Sequence, residues 1–355
     1  LGVILQYDTE RRLEEPRRSS EAVKRKGSAG QQGSVRLGLI GAGLYAKAML
    51  LPPLKTAGVE FKTIATASGV SARDIAAKYH FERLAADATA VIEDDDVNLV
   101  LVATRHDLHA ELVRQALLRG RHVFVEKPLA LTEEELEQVV AAARESEGQV
   151  MVGFNRRFSP LARAAKDFFA TRQSPLSISY RINAGRIPRE HWIQDPREGG
   201  GRIIGEVCHF IDLMHFLTGA LSTRVYAEAI ASRNREVVDE DSVFITLRFS
   251  DGSNGVIAYL AEGDKTLAKE RVEIFGEGKT FVLDDFRGSF AYSNGREKET
   301  RLRVQDKGQA DEVRALCDVV LKGTLAPIAL DDLATTTRAT FRIRESLRSG
   351  QALDV

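Results

Sequence analysis

Lys127 stands between Glu126 and Pro128, directly after the apolar run V-F-V, and is the residue of this sequence best placed for proton chemistry. An ammonium group there can neutralise a developing alkoxide or exchange a proton with a carbinol, and the proline stiffens the turn that aims it. A second set of groups comes from a helical segment at residues 203–217, preceded by three glycines at 199–201. Glu206 and His209 lie three apart on one face, with Asp212 one turn further along. The imidazole is suited to proton transfer near neutral pH; the plainer alternative is a satisfied structural histidine. Asp212 is expected to be structural, holding His209 or a nearby backbone group. Cys208, His209 and His215 make no sensible metal cluster, because Cys208 and His209 are adjacent and point differently, so no metal is expected. A third signature is the turn Gly41-Ala42-Gly43 between an apolar strand and a helical pattern. Gly41 permits the tight turn, Gly43 lets the backbone approach a pyrophosphate, and Ala46 keeps helix and strand close. The helix start, with Leu44 and Tyr45, offers free N–H groups and a positive dipole end to phosphates.

These groups need elements to hold them. Strand patterns fall at residues 35–40, 61–67, 98–103, 122–125 and 149–153. Helical patterns alternate with them at 45–58 (interrupted by Pro52-Pro53), 71–79, 108–118 and 132–143, the last opened by a Thr132/Glu135 capping box. This alternation predicts a doubly wound parallel sheet, whose strand C-termini are where ligands bind and where Lys127 falls. An acidic residue some ~20 positions after the turn would grip a ribose 2′-hydroxyl. The second strand ends T-A-S-G instead. Ser68, Ser71 and Arg73 are the side chains available for a 2′-phosphate, which points to NADP, or to use of both NADP and NAD; a merely solvated Arg73 is the alternative.

The 355 residues suit about two domains. A net charge of −1 gives no reason to expect nucleic acid or a membrane surface, and no apolar run approaches the ~20 residues that span a bilayer. Cys208 and Cys317 lie in helix-like segments without C-x-x-C spacing, which favours free thiols and a cytoplasmic setting. Residues 1–7, L-G-V-I-L-Q-Y, read as a strand left from an upstream domain, with a cloning artefact or mis-assigned start as the alternative. Residues 8–33, dense in charge and glycine with little to bury, read as a flexible linker.

From residue 34 to the end, the chain resembles the glucose–fructose oxidoreductase/inositol dehydrogenase (Gfo/Idh/MocA) family. The resemblance rests on G-A-G-L-Y-A at 41–46, A-T-R-H-D-L-H-A-E at 103–111, E-K-P-L-A-L-T at 126–132 and G-F-N-R-R-F at 153–158. It continues in G-G-G-R-I-I-G-E-V-C-H-F-I-D at 199–212 and in the closing A-P-I-A-L-D-D-L with T-R-A-T-F and S-L-R-S-G. It implies a Rossmann domain at 34–153 and an α+β domain with an open, mostly antiparallel sheet at 154–355. Strand-like stretches at 176–182, 224–229, 242–249, 253–259, 270–275 and 280–283 fit that sheet. A last helix at 333–348 fits the family's C-terminal return, and its outer face implies a homo-oligomer.

By the same resemblance Lys127 contacts both the substrate hydroxyl and the nicotinamide region, and His209 is the catalytic histidine. Thr104, His106, His109 and Glu126 fall at cofactor positions, and Arg157 and Trp192 reach the nicotinamide half. Asn155 is a substrate ligand. The sequence departs from the family at two places: Arg105 and His106 stand where Pro and Asn are usual, and Gly205 stands where its dehydrogenases carry Asp, four residues before the histidine. Glu206 is next to it but rotated by about 100° on an ideal helix; either it takes over as catalytic carboxylate, or Lys127 and His209 work without one. A subgroup resemblance, to units fused behind a zinc-type alcohol dehydrogenase-like domain in surface-polysaccharide and nucleotide-sugar metabolism, would account for residues 1–7.

Three functions compete. The first is an NAD(P)-dependent dehydrogenase or reductase of a sugar or sugar nucleotide, with Lys127 or His209 handling the proton. The second is a glycosidase of the same fold that oxidises the sugar transiently on bound NAD. The third is a non-catalytic sensor, against which Glu126-Lys127-Pro128 and His209 argue and for which Gly205 argues.

Overall fold

The structure, a computed structural model, describes residues 21–22, 33–67 and 69–355, with backbone only at 21–22 and 69–71. The expected strand at 1–7, most of the expected linker and Ser68 lie outside the described residues. Within the linker stretch, β1 (Glu21–Ala22) pairs antiparallel with a later edge strand.

Among the described residues the first sheet has seven strands: β1, then β2 (Arg36–Ile40), β3 (Glu60–Ala65), β4 (Arg83–Leu84), β5 (Leu99–Val102), β6 (His122–Val125) and β7 (Val150–Val152). Their spatial order is β1-β4-β3-β2-β5-β6-β7, parallel throughout except for β1. Sequence order reverses between β2 and β5, and a crevice for ligands opens at the strand C-termini beside such a switch. Every residue of β5 is buried, as a strand covered on both faces requires.

The covering helices are α1 (Leu51–Thr56), α2 (Gly69–Tyr79), α3 (Ala88–Ile92), α4 (His109–Leu118) and α5 (Glu133–Glu145). Thr132 and Glu135 form the reciprocal capping box at α5. Pro52-Pro53 does not interrupt its helix. A π-turn at Ala46–Leu50 runs into α1 with both prolines in the first turn, where missing N–H donors cost nothing.

The second layer starts with α6 (Pro160–Phe168), β8 (Ser177–Asn183), a π-turn at Ile203–Val207 and α7 (Cys208–Thr218). There follow β9 (Ser222–Ala229), β10 (Val243–Phe249), β11 (Asn254–Leu260), β12 (Glu270–Gly276), β13 (Lys279–Asp284), β14 (Gly288–Ser293), β15 (Arg296–Arg301), α8 (Gln309–Lys322), α9 (Leu330–Ser349) and β16 (Leu353–Asp354). Nine of these strands form a mixed sheet in the order β15-β14-β13-β12-β8-β11-β10-β9-β16, parallel only between β8 and β11. Alternation in β10 buries Val243, Ile245, Leu247 and Phe249 against Ile211 and Met214 of α7. One face is thereby committed to α7 and α9.

The hairpin of β14 and β15, absent from the sequence reading, turns on Asn294-Gly295, both at positive φ (53° and 70°). The chain then returns. Val313, Leu316, Cys317 and Val319 of α8 bury in the core beneath β2 and β3, and Leu333 and Ala334 of α9 bury beside α4 and α5. The two layers therefore share cores, which fixes the crevice between them.

Candidate functional site: a crevice between two sheets

A cavity of about 1320 Å³ runs from the β2 turn to the face of α7. At one end Gly41 adopts φ +79°, its N–H donates to Ala65 O at 2.8 Å, and a Cβ would strike Ala103 O at 2.6 Å. Only glycine fits so close a backbone. A Cβ at Gly43 would meet nothing within 4 Å, so the backbone here faces open cavity, as a pyrophosphate cradle requires. Leu44 and Tyr45 line this mouth. Burial, then the nearby Glu126 and Glu312 carboxyls, push the Tyr45 hydroxyl well above its ordinary pKa.

Past the β3 terminus the lining is Thr66, Ala67 and Asp87. Asp87 escaped the sequence reading; its side chain also caps α3 by accepting from Ala90 N at 2.9 Å. Arg73 is exposed and does not line the cavity, and Ser71 is described by its backbone alone.

The β5 terminus supplies Thr104 and His106, and α4 begins with His109. His109 is fully buried and donates from Nδ1 to Pro128 O at 2.7 Å, pinning the turn that carries Lys127; the Lys127–Pro128 peptide is cis. Burial takes the His109 imidazole down to about 4 despite that bond. His106 donates from Nδ1 to Gly199 O at 2.7 Å, which leaves Nε2 an acceptor. Burial, reinforced by Lys127, takes it down to about 3. Trp192 stands edge-on to it at 4.8 Å, beneath the Arg105 guanidinium. Glu198 pairs with Arg105 and Glu198 O accepts from Asp107 N, so the two domains are laced together beside the cavity.

Lys127 and His209 both face this cavity. Lys127 Nζ donates to the backbone carbonyl of Gly205 at 2.8 Å. Glu126 next to it is half-buried, its Oε1 is buried with no partner among the described residues, and desolvation raises its carboxyl to about 7 against the pull of Lys127. Glu206 also lines the cavity. It accepts from Tyr259 OH at 2.8 Å and lies 3.6 Å from Arg202 and 4.0 Å from Lys269. Burial would raise it, yet Arg202, Lys269 and Lys127 together hold it below the usual carboxylate range. The segment carrying Gly205 and Glu206 is a π-turn, so the rotation expected of an ideal α-helix does not apply.

His209 is buried, its Nδ1 has no partner among the described residues, and its ring stacks edge-on to Phe154 at 5.9 Å. Burial, then Arg156, Lys127, Lys269 and Lys307, push its pKa well below 6.5. That environment favours the neutral imidazole over the imidazolium.

Asn155 lines the cavity and donates from Nδ2 to Lys307 O at 2.7 Å. Arg157 does not line it. Its guanidinium is buried behind α7 on Asp212, with Nε–Oδ2 at 3.0 Å and the second nitrogen–Oδ1 at 2.5 Å. Asp212 thus holds Arg157 rather than His209, and the arginine that reaches the cavity is its neighbour Arg156. Asp212→Ala would leave that guanidinium buried and unpaired, with an expected loss of about 3–5 kcal/mol in unfolding free energy. Urea denaturation checks this, and a loss below about 1 kcal/mol would show the pair to be dispensable.

Arg156, Lys269 and Lys307 also face the cavity and were not singled out from the sequence. Arg156 is bidentate on Glu270 (2.8 and 2.9 Å), which also takes Lys307 Nζ at 2.6 Å and the Tyr180 hydroxyl. Burial notwithstanding, Arg156 and Lys307 keep the Glu270 carboxyl far below its ordinary value.

A dinucleotide turn facing, across one crevice, a second layer that lends an imidazole and ammonium groups defines a two-domain oxidoreductase. The model of the "Oxidoreductase family, NAD-binding Rossmann fold" matches residues 35–154, and that of the "GFO/IDH/MocA C-terminal domain" matches 174–282. The chain belongs to the Gfo/Idh/MocA family of NAD(P)-dependent oxidoreductases. It is 26% identical to inositol 2-dehydrogenase of Rhizobium meliloti (strain 1021) over 335 residues, 88% of this chain and 96% of that one. It is 27% identical to 1,5-anhydro-D-fructose reductase of Ensifer adhaerens over 334 residues, 90% and 98% of the two chains. In fold it is similar to levoglucosan dehydrogenase solved with NADH and levoglucosan (TM-score 0.77, 23% identity, 91% and 99% covered). It is likewise similar to an oxidoreductase domain protein from Kribbella flavida (TM-score 0.81, 23%, 91% and 100%). Among the described residues no helix is long and apolar enough to cross a membrane, and no cluster of His, Cys, Asp or Glu suits a metal.

Proposed function

We propose that the protein moves hydride between a carbinol carbon of a sugar or sugar derivative and the nicotinamide of NAD or NADP, with Lys127 and His209 serving the hydroxyl oxygen. The observation that carries this reading is the convergence of Lys127 and of His209, whose Nδ1 has no partner among the described residues, on the cavity that begins at the Gly41–Gly43 turn. The turn, the helix start and Thr104 would hold the dinucleotide, and when bound it accepts or returns the hydride. As the carbinol C–H bond yields its electron pair, the hydroxyl must lose a proton. The His209 lone pair is the acceptor, and the Lys127 ammonium, held by Gly205 O, donates a hydrogen bond to the oxygen on which charge builds. Reduction runs the same transfers backwards. His106, His109 and Trp192 shape the walls and keep water from the reacting oxygen. Names of the relatives above, an inositol dehydrogenase and an anhydrofructose reductase, agree with a polyhydroxylated ring as substrate.

The test follows absorbance at the nicotinamide band with NAD and NADP against inositols, sugars, sugar acids and sugar nucleotides. Net reduction or oxidation of added cofactor is expected. Glycoside cleavage without net cofactor turnover, or binding without either, would replace this reading.

A further inference from the structure

The far end of the crevice, around His209, carries more positive charge than the reaction described above needs. Four cations face His209 there: Lys127, Arg156, Lys269 and Lys307. Each of them depresses the imidazole, and none of the strongest influences on it comes from a carboxylate. The nearby carboxylates offset part of this charge: Glu270 pairs with Arg156 and Lys307, which leaves Lys269 with Glu206 at 4.0 Å. Glu270 also takes the Tyr180 hydroxyl, and Glu206 also serves Tyr259 and Arg202. Lys269 has its pKa lowered first by burial, and Arg156 and Lys307 add to it against the opposing pull of Glu206 and Glu270. Its side chain is still 41% exposed, and it lines the cavity. This concentration of charge is local, since the chain as a whole carries −1. The buried His209 Nδ1, without a partner among the described residues, adds a polar group free to meet a ligand.

We infer that the substrate is an anionic sugar, carrying a carboxylate or phosphate that Lys269 and Lys307 receive beside His209. An uncharged polyol would leave the Lys269 ammonium, 4.0 Å from Glu206, beside Arg156 and Lys307 in a partly desolvated space, whereas an anion offsets that repulsion and supplies hydrogen-bond acceptors. A negative group there would also counter the field that keeps the imidazole from taking up a proton, so binding and proton transfer would be coupled.

The inference rests on the cavity being the reaction site, and its test separates the two. NADH-loaded protein is titrated by calorimetry with matched probes: glucose, glucuronate and glucose 6-phosphate, then galactose and galacturonate. In at least one set an acidic member should bind about tenfold tighter than its neutral partner or better, and added salt should weaken that preference. Whichever acid wins distinguishes carboxylate from phosphate. Lys269→Met should reduce the preference to within about twofold at unchanged melting temperature, because the side chain it removes is partly exposed. Equal affinity within every set, or no binding by any acid, overturns the inference. Efficient turnover of neutral sugars with no acid preference would do so while leaving the dehydrogenase reading in place. Lys269-dependent binding of an acid, with no change in nicotinamide absorbance for any probe, would keep the anion subsite and remove the dehydrogenase reading.

Discussion

Replacing Lys127 by Met is expected to lower kcat by about 10²–10⁴-fold, the range over which a positioned proton or charge donor contributes, while NADH affinity stays near that of the unaltered protein. Nζ makes its hydrogen bond across the crevice, to Gly205 O at 2.8 Å, and not to the turn at Gly41–Gly43. Methionine preserves most of the side-chain volume, so the packing of the cis Lys127–Pro128 turn against His109 is retained. Single-turnover measurements should place the loss in the hydride step, and fluorescence titration with NADH gives the affinity. A variant with unaltered kcat would remove Lys127 from the chemistry. A variant that lost cofactor binding in proportion would make it a cofactor anchor instead.

Much of this site could be read from the chain because its parts are local. A glycine turn between strand and helix, a lysine just past a strand end and a histidine on an amphipathic helix each carry their signal within about ten residues, and all reach one cavity. The parallel sheet was legible for the same reason, in the unbroken apolar run of β5 and the alternation around it. What escaped depends on folding in three dimensions. Arg156 and Arg157 are neighbours in the same short helical turn, and only the packing of α7 decides that one meets Glu270 beside the cavity and the other Asp212 behind it. Lys269 and Lys307 lie in loops 38 positions apart, with no periodicity to mark them, and the second sheet and the return through α8 bring them to His209. The β14–β15 hairpin is a different case. Asn294-Gly295 is a strong turn signal, but β15 reads R-E-K-E-T-R, exposed along its whole length, so no alternation of apolar residues marks it as a strand.

Gly205→Ala should cost about ten- to hundredfold in kcat/KM together with about 1–3 kcal/mol of stability, the opposite of what alanine usually brings to a helical glycine position. Alanine in a helix is ordinarily favoured over glycine by about 1 kcal/mol, so a glycine kept here has a spatial cause. A Cβ at this position would lie 3.0 Å from His106 Cε1 and 3.4 Å from Nδ1. The imidazole has little room to retreat, being bonded to Gly199 O at 2.7 Å and flanked by Trp192 and His109 at 4.8 and 5.6 Å between centroids. The added methyl therefore pushes on the π-turn whose carbonyl receives Lys127, and a displacement of about 1 Å at such a contact can cost around 10²-fold. The His106 ring occupies the space a side chain at 205 would need. Changing both should accordingly be milder than changing one. Gly205→Asp alone is expected to be inactive, and the pair His106→Asn with Gly205→Asp to recover a large part of kcat/KM. A double-mutant cycle in kcat/KM reads the coupling directly. Strict additivity, or a Gly205→Ala variant as active as the unaltered protein, would show that His106 and Gly205 are independent and that the lysine's carbonyl partner does not set the rate.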